Sequence, residues 1–140
     1  MVDIGEGKTR WRHRPPSEGR GFTAAGNLLC FATAEPAVSR LYALDIEQGT
    51  VSWTSEFPGA LYSPLYFFDD RLLFHALAPS GLFAVDLDSG RRLAHYRFPS
   101  PNAIGNVVDA DERRVCLLSN NREFETIDVE AGKLLWSAEC

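Results

Sequence analysis

Gly5, Gly7, Lys8 and Thr9, within the stretch VDIGEGKTRW at residues 2–11, are residue types that bind phosphate. Glycines let backbone N–H groups converge on an anion, and lysine and threonine reach its oxygens and a bound metal. That chemistry needs Gly-x4-Gly-Lys-Ser/Thr, placed after a buried strand and opening a helix. Counting back from Gly7, the first glycine would fall at position 2, which is Val2. The next residues, RWRHRPP, carry two prolines where the helix would run. An interior proline costs a helix about 3 kcal/mol. The stretch is not expected to bind nucleotide.

Other reactive residue types show no catalytic spacing. There is no GxSxG elbow, and Ser, His and Asp are scattered. His75 and His95 fall on strands not expected to be neighbours, so a shared metal is not expected. Cys30 and Cys116 stand at matching places in their repeats, where the copy between them is aligned with Phe74. An aromatic at that place marks a buried apolar slot, so both are expected as core thiols, in units too far apart for a disulfide. Cys140 is expected to be free, and the absence of CxxC removes zinc or thioredoxin-like chemistry. No catalytic, cofactor-binding or metal residue is assigned, and no cofactor is expected.

Net charge is −5 with a pI near 5.1, which argues against nucleic acid as a partner. Locally the balance reverses. Arg10, Arg12 and Arg14 lie on one side of an extended segment, with His13 between them. They are candidates for contact with an anion or an acidic partner; the plainer reading is an edge strand whose charges block unwanted pairing.

What positions these residues is a repeat. LDIEQGTVSW (44–53), VDLDSGRRLA (85–94) and IDVEAGKLLW (127–136) echo the opening stretch. Anchored on Asp3, Asp45, Asp86 and Asp128, the copies are 42, 41 and 42 residues apart. Gly7, Gly49, Gly90 and Gly132 follow at the fourth place, Trp11, Trp53, Ala94 and Trp136 at the eighth, and Pro16, Pro58 and Pro99 at the thirteenth. A locked period near 40 means repeat architecture. An aspartate present in every copy is expected in a turn or strand-end role rather than a catalytic one.

Each copy reads as strand, turn, strand, with the glycine supplying a positive φ. In LYALDI, Tyr42, Leu44 and Ile46 point one way and Leu41 and Ala43 the other. Apolar residues on both faces mean a strand covered on both sides, unlike a two-layer sandwich. Two further strand candidates precede each copy (GFTAAGN and LLCFAT, SPLYFFDD and RLLFHAL, GNVVDADE and RRVCLLS), and helical periodicity is nearly absent. Four short strands per period predict β-propeller blades. The fold class expected is all-β: blades of four antiparallel strands, about three blades plus one extra N-terminal strand (roughly 8–14), not a closed propeller on its own.

The pattern LYALDIEQGTVSW, with LFAVDLDSGRRLA and FETIDVEAGKLLW, resembles the quinoprotein (PQQ)-like β-propeller repeat. That family includes PQQ-dependent alcohol dehydrogenases and an outer-membrane assembly lipoprotein type that binds protein. The resemblance implies that Trp11, Trp53 and Trp136 pack between neighbouring blades and that the four glycines make the turns. Ala94 departs from it, with His95 or Tyr96 expected to fill the space. The adjacent-cysteine pair usual in the dehydrogenases is missing, and no calcium-binding acidic set can be placed residue by residue.

The expected organisation is a single partial propeller over 1–140: residues 1–16 as the outer strand of a preceding blade, then blades at 17–58, 59–99 and 100–140. Propellers close with about four to eight blades, so the chain is expected to be part of a larger propeller or to assemble with further copies. Glu125 and Thr126 replace aromatic and alanine residues of earlier copies and are expected to cap an exposed end. The function expected is noncatalytic, a protein-binding or scaffolding module whose partner is another protein or the remaining blades of a parent chain. The alternative is a portion of a quinoprotein dehydrogenase, with PQQ and calcium as cofactors. No stretch approaches the roughly 18 apolar residues of a membrane span, and the start lacks the apolar core of a signal peptide. Compartment is left open: periplasm or cell envelope for a piece of an exported parent, cytoplasm otherwise.

Overall fold

The computed structural model describes residues 2–3, 5, 7–34, 38–61, 64–77, 80–98, 105–111, 113–119 and 122–139. Pro99 and Cys140 lie outside the described residues. Among the described residues there is no helix. The strands are β1 (Val2–Asp3), β2 (Lys8–Thr9), β3 (Gly19–Ala25), β4 (Leu28–Ala34), β5 (Val38–Asp45), β6 (Val51–Pro58), β7 (Tyr66–Phe68), β8 (Arg71–Leu77), β9 (Ser80–Asp86), β10 (Arg92–Arg97), β11 (Gly105–Ala110), β12 (Arg114–Ser119), β13 (Glu123–Asp128) and β14 (Lys133–Glu139). They form three four-stranded antiparallel meanders, β3–β6, β7–β10 and β11–β14, behind a short β1–β2 hairpin. Among the described residues no sheet closes on itself.

The meanders repeat in register. Ala43 pairs with Trp53, Ala84 with Ala94 and Thr126 with Trp136, and a bulge follows each pair at the same place. That bulge leads into the Asp-x3-Gly turn. Gly49 and Gly90 stand at φ +70 and +69 and donate to the carbonyls of Asp45 and Asp86, each at 2.8 Å. Such a φ is open to glycine at no steric cost. The aspartate side chain holds the turn from the other side: Oδ1 accepts the N–H of Gln48 (2.7 Å), Ser89 (2.8 Å) or Ala131 (2.8 Å).

The inner strand β9 is buried on both faces and the outer strand β6 on one, as stacked sheets require, whereas β14 is exposed throughout. Residues Ser80–Val85 of β9 are all buried, whereas β6 buries Trp53 and Phe57 and exposes most of its other residues. Between the first and second sheets, Cys30, Ala32, Ala43, Trp53 and Phe57 meet Leu72, Phe74, Phe83 and Val85. Phe57 sits edge-on to Phe74, ring centroids 4.7 Å apart. Between the second and third, Leu73, Leu82, Ala84 and Tyr96 meet Val115, Leu117 and Ile127. Burial of one such side chain contributes about 1.5–3 kcal/mol.

Register corrects two expectations. Leu28, Arg71 and Arg114 pair with Asp45, Asp86 and Asp128, so Leu73, not Phe74, matches Cys30 and Cys116. Glu125 pairs with Leu117, on the face turned to the second sheet, so it does not cap an open end. Its carboxyl is pushed above the usual range by burial and then by Glu123. Among the described residues the β1–β2 ladder ends at Thr9, and residues 10–14 follow it. They run extended, with Trp11 and His13 half-buried and Arg10, Arg12 and Arg14 exposed.

The second sheet buries one ionisable ring. His75 is 1% exposed, edge-on to Phe98 with centroids 5.0 Å apart, and its Nε2 lies 3.3 Å from Ser80 Oγ. Burial pushes its pKa from 6.5 down to about 4. As pH falls the unfolded chain takes up this proton before the folded one does, so stability is intact above pH 6.5 and is lost toward pH 4. The shift is worth roughly 3 kcal/mol. Urea titrations at pH 7 and pH 4 are expected to show a wild-type loss larger by about that amount than the loss in His75→Gln.

Candidate interaction surface

The joints between sheets and the two ends of the described stack hold the tryptophans and glycines of the repeat and the Arg10–Arg14 segment. At the first joint, Trp53 Nε1–H donates to the Leu87 carbonyl at 2.7 Å, and its ring covers Gly90. A Cβ on Gly90 would stand 2.7 Å from Trp53 Cδ2, a distance no side chain there could hold. Trp11 makes the same pair of contacts one sheet earlier: Nε1–H to the Ile46 carbonyl at 2.7 Å, ring over Gly49, Cγ 2.5 Å from where a Cβ would be. Each tryptophan thus latches onto the turn of the following sheet.

The latch is missing at the second joint. Ala94 stands at the tryptophan place, and among the described residues a Cβ on Gly132 would meet just the His95 carbonyl, at 3.2 Å. His95 stacks on Phe83 instead, centroids 4.1 Å apart and 11° between planes. Tyr96 is buried beside Phe98. Neither ring takes the tryptophan's place over the glycine, because the strand alternation turns His95 toward the first sheet.

Arg92, which sequence reasoning passed over, bridges the first joint. Its Nη2 donates to the Glu56 carbonyl at 2.8 Å, and its guanidinium lies 4.6 Å from the centre of the Phe57 ring. No repeat signal marks it, since the other copies have Val51 and Leu134 at that place.

The recurring carboxylates are engaged. Asp45 Oδ2 accepts from Asn27 Nδ2 at 2.8 Å. Asp86 Oδ1 accepts from the Ser89 hydroxyl as well as its N–H. The Asp128 carboxyl lies below the usual range through the Ala131 N–H, with Arg113 Nε (2.7 Å) adding to it. Asp3 is placed in β1, and Gly7 turns the β1–β2 hairpin at φ +65. Lys8 and Thr9 follow as strand, not helix, so the phosphate-binding geometry is not formed. No group of three His, Cys, Asp or Glu among the described residues is placed to hold a metal. Cys30 is buried and its thiol pushed up to about 11; Cys116 is half-buried, and neither is in a disulfide.

The two ends differ. At the first, Leu29, Phe31, Tyr42 and Leu44 are covered by Trp11 and its neighbours, beside a cavity of about 170 Å³ lined by Trp11, His13, Pro15, Phe22, Leu29, Phe31 and Leu44. At the last, the row Asp109–Cys116–Thr126–Trp136 faces outward. Trp136 is 51% exposed, and the flanking Leu134 and Leu135 are also open.

The family model described as outer membrane protein assembly factor BamB matches residues 1–140. No curated protein matches the chain. Among solved structures, BamB from Moraxella catarrhalis is 19% identical with a TM-score of 0.64, over 81% of this chain and 34% of its own. The quinohemoprotein alcohol dehydrogenase of Comamonas testosteroni is 12% identical with a TM-score of 0.69, over 99% and 31%. The Cps50 (Swd1) β-propeller domain of Myceliophteria thermophila is 18% identical with a TM-score of 0.67, over 86% and 41%. At these identities the likeness is one of fold, and the three sheets are β-propeller blades. The chain spans 31–41% of the length of these structures.

Proposed function

The chain belongs to the outer membrane protein assembly factor BamB family, and from that premise we propose that it is a noncatalytic propeller module that binds protein in the assembly of outer membrane proteins. The observation that carries this reading is the use made of the recurring carboxylates. Asp45, Asp86 and Asp128 each cap their own turn, and Asp128 also holds Arg113, so the acidic residues that recur with the repeat serve its backbone. A rigid stack of blades with exposed edges is suited to presenting a surface, and function on such folds lives in the surface rather than the fold. The compartment implied by this reading is the cell envelope. Arg10, Arg12 and Arg14, exposed side by side on the first end, are the proposed contacts for an acidic partner segment.

A second reading, a portion of a PQQ-dependent quinoprotein dehydrogenase, draws on the fold likeness to the quinohemoprotein alcohol dehydrogenase. It would bring PQQ and calcium. Titration of the chain with PQQ and calcium, followed by tryptophan fluorescence and by heat, separates the two. The expected result is no saturable binding; saturation at micromolar PQQ would overturn the noncatalytic reading.

A further inference from the structure

The outer strands of the blades differ in charge at one repeated place. In the first blade Arg40 stands opposite Glu56 there, and in the third Glu123 stands opposite Glu139. The second blade has Gly81 opposite Arg97, with Phe83 opposite His95 beside them. Directly opposed side chains share a face, so His95 and Arg97 look the same way as Phe83, toward the first blade. Both walls of this joint are described sheets, β3–β6 and β7–β10.

We propose that the outer mouth of the first joint, where Arg92, His95 and Arg97 gather over the rings of Phe57 and Phe83, docks an acidic extended peptide, with one carboxylate seated between His95 and Arg97. The groups are held in advance. The Glu56 carbonyl accepts from Arg92 at 2.8 Å and takes one of the guanidinium's five donors. The same guanidinium lies 4.6 Å from the centre of the Phe57 ring and 6.0 Å from that of Phe83. The His95 ring lies flat on Phe83 and above Gly81, where a Cβ would stand 2.6 Å from its Nε2. Glycine at this place leaves the space that the imidazole occupies; the other blades have Arg40 and Glu123 there. Arg97 is exposed beside it.

The charges that act on His95 are both positive. Burial, then Arg92 and Arg97, hold its imidazole below the usual pKa. Across the joint the first blade presents Trp53, Ser55 and Phe57 from β6. The Glu56 carboxylate is turned to the other face, where Arg40 Nε holds it at 2.8 Å. Asp86 and Asp88 belong to the turn before β10, at the opposite end of that strand from Arg97. β10 is the end strand of its sheet, so the mouth opens on the rim of the stack. In an extended peptide, alternate side chains share a face about 6.8 Å apart, the same alternation that sets out His95 and Arg97. The inference takes a peptide as occupant from the protein-binding reading and adds the place and chemistry of contact.

Fluorescence anisotropy of labelled hexaglutamate titrated with the full chain tests it, with hexaglutamine and inorganic phosphate as comparisons. Saturable binding of hexaglutamate is expected, weakening as salt is added. His95 and Arg97 are exposed, so changing either does not threaten folding. Arg97→Gln is expected to weaken binding about ten-fold, the loss of one charge-assisted contact. Arg20→Ala, which removes a positive charge of the first blade outside the joint, is expected to bind like the wild type. A carboxylate brought to His95 restores its proton, so affinity is expected to rise about three-fold or more from pH 8 to pH 6, and to stay level in His95→Gln. The proposal is overturned if hexaglutamine binds as well as hexaglutamate, if Arg97→Gln loses no more than Arg20→Ala, or if the rise toward pH 6 survives in His95→Gln. Phosphate binding without hexaglutamate binding also overturns it and leaves the noncatalytic reading standing. Saturation by PQQ would overturn that reading and leave this site in place.

Discussion

Trp53→Ala is expected to cost about 3–5 kcal/mol of stability, the usual range for truncating a buried tryptophan, while Trp136→Ala changes it by less than about 0.5 kcal/mol. The two residues hold the same place in the repeat and the same place in their sheets, paired with Ala43 and Thr126. Their neighbours differ. Trp53 is 8% exposed, wedged between blades, and Trp136 is 51% exposed. Truncating Trp53 removes its packing on Gly90, leaves a void between the first two blades, and strips the Leu87 carbonyl of its 2.7 Å donor. A buried carbonyl left without its partner costs roughly a further 1–3 kcal/mol unless water reaches it. Urea denaturation gives both numbers, with the midpoint moving and the slope unchanged. Equal losses in the two variants would mean that the sheets do not stack as described.

The period, the glycine turns and the strand count could be read from the sequence because each rests on local chemistry. Gly49 and Gly90 announce a positive φ wherever they occur, and LYALDI shows apolar residues on both faces whatever lies beyond them. Which neighbour each face meets is not local. Aligning Cys30 with Phe74 slips the register by one residue, and one residue in a strand exchanges the faces. Cys30 and Phe74 do belong to the same core, but they reach it from opposite sheets. The same parity places Glu125 against the second sheet rather than on the open end, and turns His95 back onto Phe83. Arg92 gave no signal at all, since its contact with Phe57 crosses between sheets 35 residues apart in the chain. For the candidate surface, the alternation of Arg10, Arg12 and Arg14 with Trp11 and His13 was legible. That Trp11 packs over Gly49 and donates to the Ile46 carbonyl was not, because the contact joins positions 35 residues apart.

Gly90→Ala is expected to be nearly as damaging as losing Trp53, at about 3–5 kcal/mol, and Gly132→Ala much milder, at about 1–2 kcal/mol. Both glycines occupy the same turn with φ of +69 and +62, so the cost of forcing alanine into the left-handed region is common to both. What differs is the space above them. A methyl on Gly90 would stand within 3 Å of the Trp53 ring, which is itself held by its hydrogen bond and by the second blade. A methyl on Gly132 would meet the His95 carbonyl at 3.2 Å, which a small backbone shift relieves. The excess at Gly90 therefore measures the latch and not the turn. A double-mutant cycle checks this: in a Trp53→Ala background, Gly90→Ala is expected to cost no more than Gly132→Ala does in the wild type. If the full penalty persists without the tryptophan ring, the turn rather than the latch is what fixes glycine at this position.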